Sequence, residues 1–286
     1  MTYRELWQPL TSRYTEPEAK AVARYLLEVG YGLSMTDILS GGAERVPGDE
    51  MEENRRRLLN GEPVQYVIGK AEFGGRIFKV SPAVLVPRPE TYELCQWVEK
   101  EERGERREER DYSVLDIGTG SGCIAITLAL DMPYAKVEAW DISESALNIA
   151  RRNAESLNAK VSFRQVDALN VSAEDSSLFT LHSSLNVIVS NPPYICRKEA
   201  PEMEAHVLDH EPHQALFVPD DNPLLFYRAI SQYGRRALAR GGWLYFEINP
   251  DHHGEMKQML DEMGYFCIET RQDQFGRLRF VRAQKG

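Results

Sequence analysis

From residue 113 onward, short apolar runs alternate with helical stretches, and no other feature of the chain restricts its fold as much. Residues 113–116, 136–140, 161–165, 187–189 and 242–247 read as strands, and 122–130, 143–157, 224–238 and 256–263 read as helices. Strands joined through helices lie parallel, and their crossovers cover both faces of one sheet. The last two apolar runs, 266–269 and 278–281, are separated by a short loop with Gly276. That gap is too short for a helical crossover, so the pair predicts an antiparallel edge.

The first 60 or so residues read differently. Thr15-Glu16-Pro17-Glu18 is a capping box with proline in the first turn. The helix it opens carries Ala21, Val22, Tyr25, Leu26 and Leu27 at helical spacing, with Gly30 and Gly32 as its stop. Two more helices are expected at 34–39 and 49–59, and Arg55, Arg56 and Arg57 on the latter read as a solvated face. Residues 64–68 and 76–80 look like strands around Gly69, Gly74 and Gly75, forming a hairpin or small sheet. A helix follows from 91 to about 102, and the charged run 99–110 reads as its exposed end plus a loop.

Bulk properties exclude several classes. No apolar run approaches the ~20 residues needed to span a bilayer, and the N-terminus lacks a basic-then-apolar signal pattern. Cys95, Cys123, Cys196 and Cys267 are scattered without a C-x-x-C pair, so they read as reduced core thiols of a cytoplasmic protein rather than a disulfide frame or zinc site. A formal net charge of −10 argues against a nonspecific grip on a nucleic-acid backbone.

The chemistry gathers where strands end. Asp116-Ile117-Gly118-Thr119-Gly120-Ser121-Gly122 joins the first strand of the alternating region to its helix. Asp141, Asp167 and Asn191 follow the next three strands, about one βα unit apart, so all four positions converge on the cleft at the carboxyl edge. The loop is G-x-G-x-G rather than the G-x-G-x-x-G of dinucleotide folds, and Asp116 precedes it. A carboxylate there is unwelcome beside a pyrophosphate but can reach the amino-acid end of S-adenosylmethionine, directly or by fixing the loop. Asp141 is placed to take both ribose hydroxyls, and Asp167 lies where an adenine amino group would sit.

Asn191-Pro192-Pro193-Tyr194 then admits two readings: a proline-rich turn after a strand, or a clamp for a planar NH2 group. In the second, the Asn191 side-chain carbonyl and the Pro192 backbone carbonyl each accept one hydrogen, favouring the pyramidal nitrogen of the transition state. The prolines stiffen the turn, and Tyr194 offers a flat cover. Beside the glycine loop, the clamp favours a methyltransferase over a dehydrogenase.

These segments resemble the release-factor glutamine methyltransferases, the PrmC/HemK family, over nearly the full length. The matching stretches include Pro63–Gly69, Glu72–Gly75 and Val86-Pro87-Arg88-Pro89-Glu90-Thr91, followed by the glycine loop, Asn191–Ile195, Glu211-Pro212 and Phe226–Arg228. The Pro-Arg-Pro-Glu-Thr segment is the most particular. The resemblance implies a Rossmann-like class I S-adenosylmethionine-dependent methyltransferase sheet and a small helical N-terminal domain that grips the substrate. Domains are expected at 1–72 (helical), 73–88 (hairpin linker) and 89–286 (methyltransferase). The implied reaction is methylation of the glutamine amide nitrogen in the Gly-Gly-Gln motif of peptide chain release factors 1 and 2. The cofactor would contact Asp116, Gly118, Thr119, Gly120, Ser121, Gly122, Asp141, Asp167, Ala168 and Asn191, and the substrate Asn191, Pro192, Pro193 and Tyr194. No metal, membrane or direct nucleic-acid partner is expected. One alternative is methylation of an adenine or cytosine amino group, which the same turn could serve after base flipping; the other is a non-enzymatic S-adenosylmethionine sensor or scaffold, against which the intact turn argues.

The chain departs from the family pattern at four places. Tyr92 stands where a second acid is usual, His210 where an aromatic often precedes the Glu-Pro pair, Ala168 where an aromatic lies near the adenine, and Asn249-Pro250 where glycine follows Glu247-Ile248. His206, His210 and His213 carry no zinc spacing, and the Glu211-Pro212 match assigns their segment to the cleft rim.

Overall fold

The structure, a computed structural model, describes residues 1–102, 112–171 and 185–286. It divides into two compact units: Met1–Val86 with Glu202–Pro212, and Pro87–Pro201 with His213–Gly286.

In the first unit, helices Tyr3–Trp7, Glu16–Tyr25, Met35–Leu39 and Gly48–Leu59 close on a core that includes Leu6, Leu10, Ala23, Leu26, Met51 and Leu58. The capping box forms: the Glu18 carboxylate accepts from the Thr15 backbone N–H at 2.9 Å and its hydroxyl at 2.8 Å. The helix runs on through a π turn, Leu26–Gly30, before Gly32 turns left-handed at φ 69°.

Residues 64–68 are not a strand. Val64–Ile68 is one helical turn, with Tyr66 and Val67 N–H donating to Pro63 O at 2.9 and 3.0 Å and Gly69 closing it at φ 68°. Proline before and a left-handed glycine after outweigh the β-branched and aromatic residues between. The hairpin begins one residue later, with β1 (Lys70–Phe73) antiparallel to β2 (Arg76–Lys79) around Gly74 and Gly75, both at positive φ. The turn also claims one expected surface arginine. Arg57 pairs with Glu62 and donates to the carbonyls of Val67 (2.9 Å) and Tyr66 (3.1 Å), satisfying the end of that turn. Arg55 and Arg56 do pair on the helix surface, with Glu52 and Glu53.

The second unit carries a seven-stranded sheet. Its strands are β3 (Ser113–Ile117), β4 (Lys136–Asp141), β5 (Val161–Gln165), β6 (Leu185–Ser190), β9 (Leu238–Glu247), β10 (Tyr265–Gln272) and β11 (Leu278–Lys285), in the order β10-β11-β9-β6-β3-β4-β5. A separate two-residue pair, β7 (Ile195–Cys196) with β8 (Phe217–Val218), lies between β6 and β9 in sequence. Strands β3, β4, β5, β6 and β9 are parallel, and the antiparallel edge forms as expected, with β11 running against both β9 and β10.

Helices pack on both faces. Tyr245 of β9 meets Trp97 of helix Pro89–Glu102 edge-on at 5.4 Å, while the next residue, Phe246, meets Tyr227 of helix Leu225–Ala237 on the opposite face at 5.3 Å. Every residue of β3 and β6 is buried, as for strands covered on both sides.

Three cysteines are core thiols, but Cys267 is exposed at φ 49°, where the β10–β11 register slips between Phe266 and Glu269. The charged run 99–110 lies largely outside the described residues. Among those described, no helix is long and apolar enough to cross a membrane.

Candidate active site

The strand order reverses at β3: the chain runs outward through β4 and β5, then returns to the other side at β6. Ligands of open α/β sheets bind at such a switch, beyond the carboxyl ends of the strands. Here those ends are stitched together, with the Ser190 hydroxyl at the end of β6 donating to the Ile117 carbonyl at the end of β3 at 2.6 Å.

The loop after β3 is built on alternation. Gly118, Gly120 and Gly122 have φ of 76°, 55° and 83°, a region in which other L residues are strained. Gly118 and Thr119 both donate to Trp140 O at 2.9 Å, holding the loop against β4. A Cβ at 118 or 120 would enter open space, whereas one at 122 would press on Ile126 Cδ1 at 2.9 Å and Ala150 Cβ at 3.1 Å. The first two glycines therefore clear the loop's surface, and the third lets helices Cys123–Asp131 and Glu144–Ser156 approach. Ser121 is buried, and its carbonyl accepts from Asn153 Nδ2 at 2.9 Å.

Asp116 is fully buried. Its Oδ2 accepts from the Thr119 hydroxyl at 2.6 Å and the Ala125 N–H at 3.2 Å, while Oδ1 is buried with no partner. Burial pushes its carboxyl up to about 7 despite those two bonds. Asp141 reaches back to the same loop. Its Oδ2 accepts from Gly120 N–H at 2.8 Å and Oδ1 from Ser143 N–H at 2.9 Å, and burial raises its pKa too.

Asp167 stays local, accepting from Leu169 N–H at 2.9 Å and Asn170 Nδ2 at 2.6 Å. Val166 N–H donates to Asp141 O at 3.0 Å, which links this turn to the end of β4. Ala168 packs half-buried against the main core. Two apolar side chains absent from the sequence reading, Ile142 (43 % exposed) and Leu169 (40 %), stand open beside Asp141 and Asp167.

The Asn-Pro-Pro-Tyr turn is held from behind by two further residues to which sequence reasoning gave no role. The Thr91 hydroxyl donates to Glu247 Oε2 at 2.7 Å, and Asn191 Nδ2 donates to Thr91 Oγ1 at 3.2 Å. Because Glu247 takes the Thr91 hydrogen, the hydroxyl has only lone pairs for Asn191. The amide must turn its NH2 toward Thr91 and present Oδ1 as the acceptor. Glu247 also accepts the Tyr194 phenol on Oε1 at 3.2 Å, and its backbone carbonyl accepts the Tyr227 hydroxyl at 2.9 Å. Burial raises the Glu247 carboxyl, opposed by Thr91, Arg279 and Tyr194, and burial also raises the Tyr194 phenol. Pro192 is buried, Pro193 is half-buried, and Asn249 Nδ2 donates to the Tyr194 carbonyl at 3.3 Å.

A glycine loop anchored by two acids, with an oriented amide one strand away, is the equipment of a methyltransferase. The family model described as Methyltransferase small domain matches residues 105–216, and that described as PrmC N-terminal domain matches residues 6–69. The fold is similar to a methyltransferase from Pyrococcus furiosus (TM-score 0.51, 18% identity, 81% of this chain and 98% of that one). It is also similar to a 16S rRNA methyltransferase from T. thermophilus solved with AdoMet and guanosine (TM-score 0.52, 16% identity, 76% and 50% covered). Among curated relatives, the release factor glutamine methyltransferase of Bacteroides thetaiotaomicron is 44% identical over 281 residues, 97% of either chain. That of Flavobacterium psychrophilum is 36% identical over 278 residues, 96% of this chain and 95% of its own. The chain belongs to the release factor glutamine methyltransferase family, as its motifs suggested.

Proposed function

We propose that this enzyme uses S-adenosylmethionine to methylate the side-chain amide nitrogen of the Gly-Gly-Gln glutamine in release factors 1 and 2, in the cytoplasm. The observation that carries the reading is the Glu247–Thr91–Asn191 chain, which fixes an amide acceptor at the end of β6.

The residues present fit the cofactor. The unpartnered, buried Asp116 Oδ1 suits the ammonium of its amino-acid end, and the clear surface over Gly118 and Gly120 admits a closely held chain. Asp141 uses one bond on each oxygen, leaving carboxylate lone pairs for ribose hydroxyls. Ile142 and Leu169 would provide apolar walls for a flat base, with Asp167 near its amino group.

When bound, the cofactor supplies an electrophilic methyl group on a sulfonium. The protein's task is to make a poor nucleophile attack in line. Asn191 Oδ1 and the Pro192 carbonyl would take the two amide hydrogens of the substrate, localising the nitrogen lone pair as it pyramidalises. Tyr194, tethered through its hydroxyl to Glu247, covers the substrate group. The surplus proton becomes acidic once nitrogen is alkylated and can leave to water. The helical N-terminal unit is the part proposed to help grip the release factor.

The test is methyl transfer from labelled S-adenosylmethionine to unmodified release factor 1 or 2, to a copy with the motif glutamine changed, and to duplex DNA. Label on the intact factors alone supports the proposal. Label on DNA, or on the changed copy, removes it.

A further inference from the structure

Two residues beyond Tyr194, the chain forms β7 and buries Cys196. Its Sγ lies 3.7 Å from His252 Nε2, on a turn 56 residues later in sequence. That is the separation of two ligand atoms across a tetrahedral ion with bonds of about 2.3 Å to sulfur and about 2.0–2.1 Å to nitrogen. Glu199 supplies a third donor, and the ligand atoms of Cys196, Glu199 and His252 all lie within 4.8 Å of one another. Behind the imidazole, His252 Nδ1 faces Glu255 Oε1 at 3.4 Å, the carboxylate–histidine arrangement that fixes a ring with Nε2 toward a metal. His206, His210 and His213 belong to no such group among the described residues.

We propose that Cys196, Glu199 and His252 form a zinc site, with Glu255 orienting His252 and a fourth position left for water. One thiolate, one imidazole and one carboxylate suit zinc better than a hard cation. Binding forms three protein–metal bonds without redox change. The Cys196 thiol proton passes to solvent, and Glu199 gives up part of its hold on Cys196 N–H (2.8 Å). The site would brace the active-site turn. Asn249 Nδ2 already links Glu199 (3.1 Å) to the Tyr194 carbonyl (3.3 Å), so an ion here would fix the segment after β6 to the segment after β9. The spacing hides this donor set from the sequence, which led to the expectation of no metal. Binding itself does not rest on the proposed methyl transfer; only an effect on turnover would.

The test is titration of the full-length, chelator-stripped protein with Co²⁺ alone, then with Zn²⁺. The expected result is one Co²⁺ per chain with a thiolate-to-cobalt charge-transfer band in the near ultraviolet, lost on adding Zn²⁺. Cys196→Ser should abolish the band, and Glu255→Gln should weaken binding by about 10–100-fold. No charge-transfer band, or a band at full strength in Cys196→Ser, overturns the proposal. Should that variant fail to fold, His252→Gln decides, because the half-buried ring is cheap to replace; unchanged affinity and spectrum there also overturn it.

Discussion

Thr91 gives its only hydroxyl hydrogen to the buried Glu247 carboxylate, 156 residues away in sequence, and so can only accept from Asn191. The direction of one hydrogen bond thereby turns the Asn191 carbonyl, the proposed acceptor for the substrate amide, away from Thr91. Thr91→Val keeps the shape and removes the lone pairs, freeing the Asn191 amide to flip. We expect kcat to fall about tenfold or more, since one lost orienting bond is worth ~1–2 kcal/mol, with release-factor KM little changed. Thr91→Ser should restore most of the rate. A rate in Thr91→Val equal to wild type would mean that Asn191 holds its orientation unaided.

Asn191→Ala removes the proposed acceptor itself. Losing one preorganised polar contact to the reacting group typically costs about 10²–10³ in kcat. Cofactor affinity by calorimetry should move far less, because Asp116 and Asp141 remain. Turnover near wild type would reassign the acceptor role.

Asp141→Ala should act on the opposite side of the site. It removes the anchor on Gly120 as well as the lone pairs proposed for ribose. A cofactor Kd raised by about 10–100-fold matches two hydrogen bonds to a charged group at ~1.5–3 kcal/mol each, partly replaced by water. An unchanged Kd would take Asp141 out of the cofactor site.

The three loop glycines should separate by measurement. Gly122→Ala meets Ile126 and Ala150 at positive φ, so it should lose about 2–5 kcal/mol of stability, the sum of ~1–2 for the left-handed backbone and ~1–3 for overpacking. Gly118→Ala meets nothing in the protein and should cost only the backbone part, while weakening cofactor binding more than Gly122→Ala does. Equal melting temperatures for the two variants would contradict this division of labour.

Asp116 should leave a pH signature. Its folded pKa is about 7 against ~3.9 unfolded, so the folded state binds the extra proton between those values. Stability linked to this group is therefore greatest near pH 4, falls as pH rises through 7, and is level above. Asp116→Asn carries no such charge, so its stability relative to wild type should rise between pH 5 and pH 8 in urea titrations. Parallel curves for the two proteins would show that Asp116 does not bear the shift.

Sequence alone made the local half of this candidate site legible. A glycine loop, an acid after β4 and an Asn-Pro-Pro-Tyr turn each announce themselves within a few residues, and β/α alternation orders them along one sheet edge. What it missed depends on distant partners. Thr91 was visible only as part of a motif, and Glu247 only as a strand end, because nothing in either segment says that they touch. The pairing of Cys196 with His252 is hidden for the same reason. The misread strand at 64–68 failed differently: its side chains favour β, but Pro63 and Gly69 set backbone angles that admit a single helical turn.

Strand β11 runs between β9 and β10, so the last strand in sequence is interior to the sheet. During synthesis, β10 emerges before the strand that separates it from β9, and until Lys285 has left the ribosome both present open hydrogen-bonding edges. A chain cut before Leu278 would therefore keep the glycine loop and the Asn-Pro-Pro-Tyr turn but leave β9 and β10 unjoined, each with an open hydrogen-bonding edge.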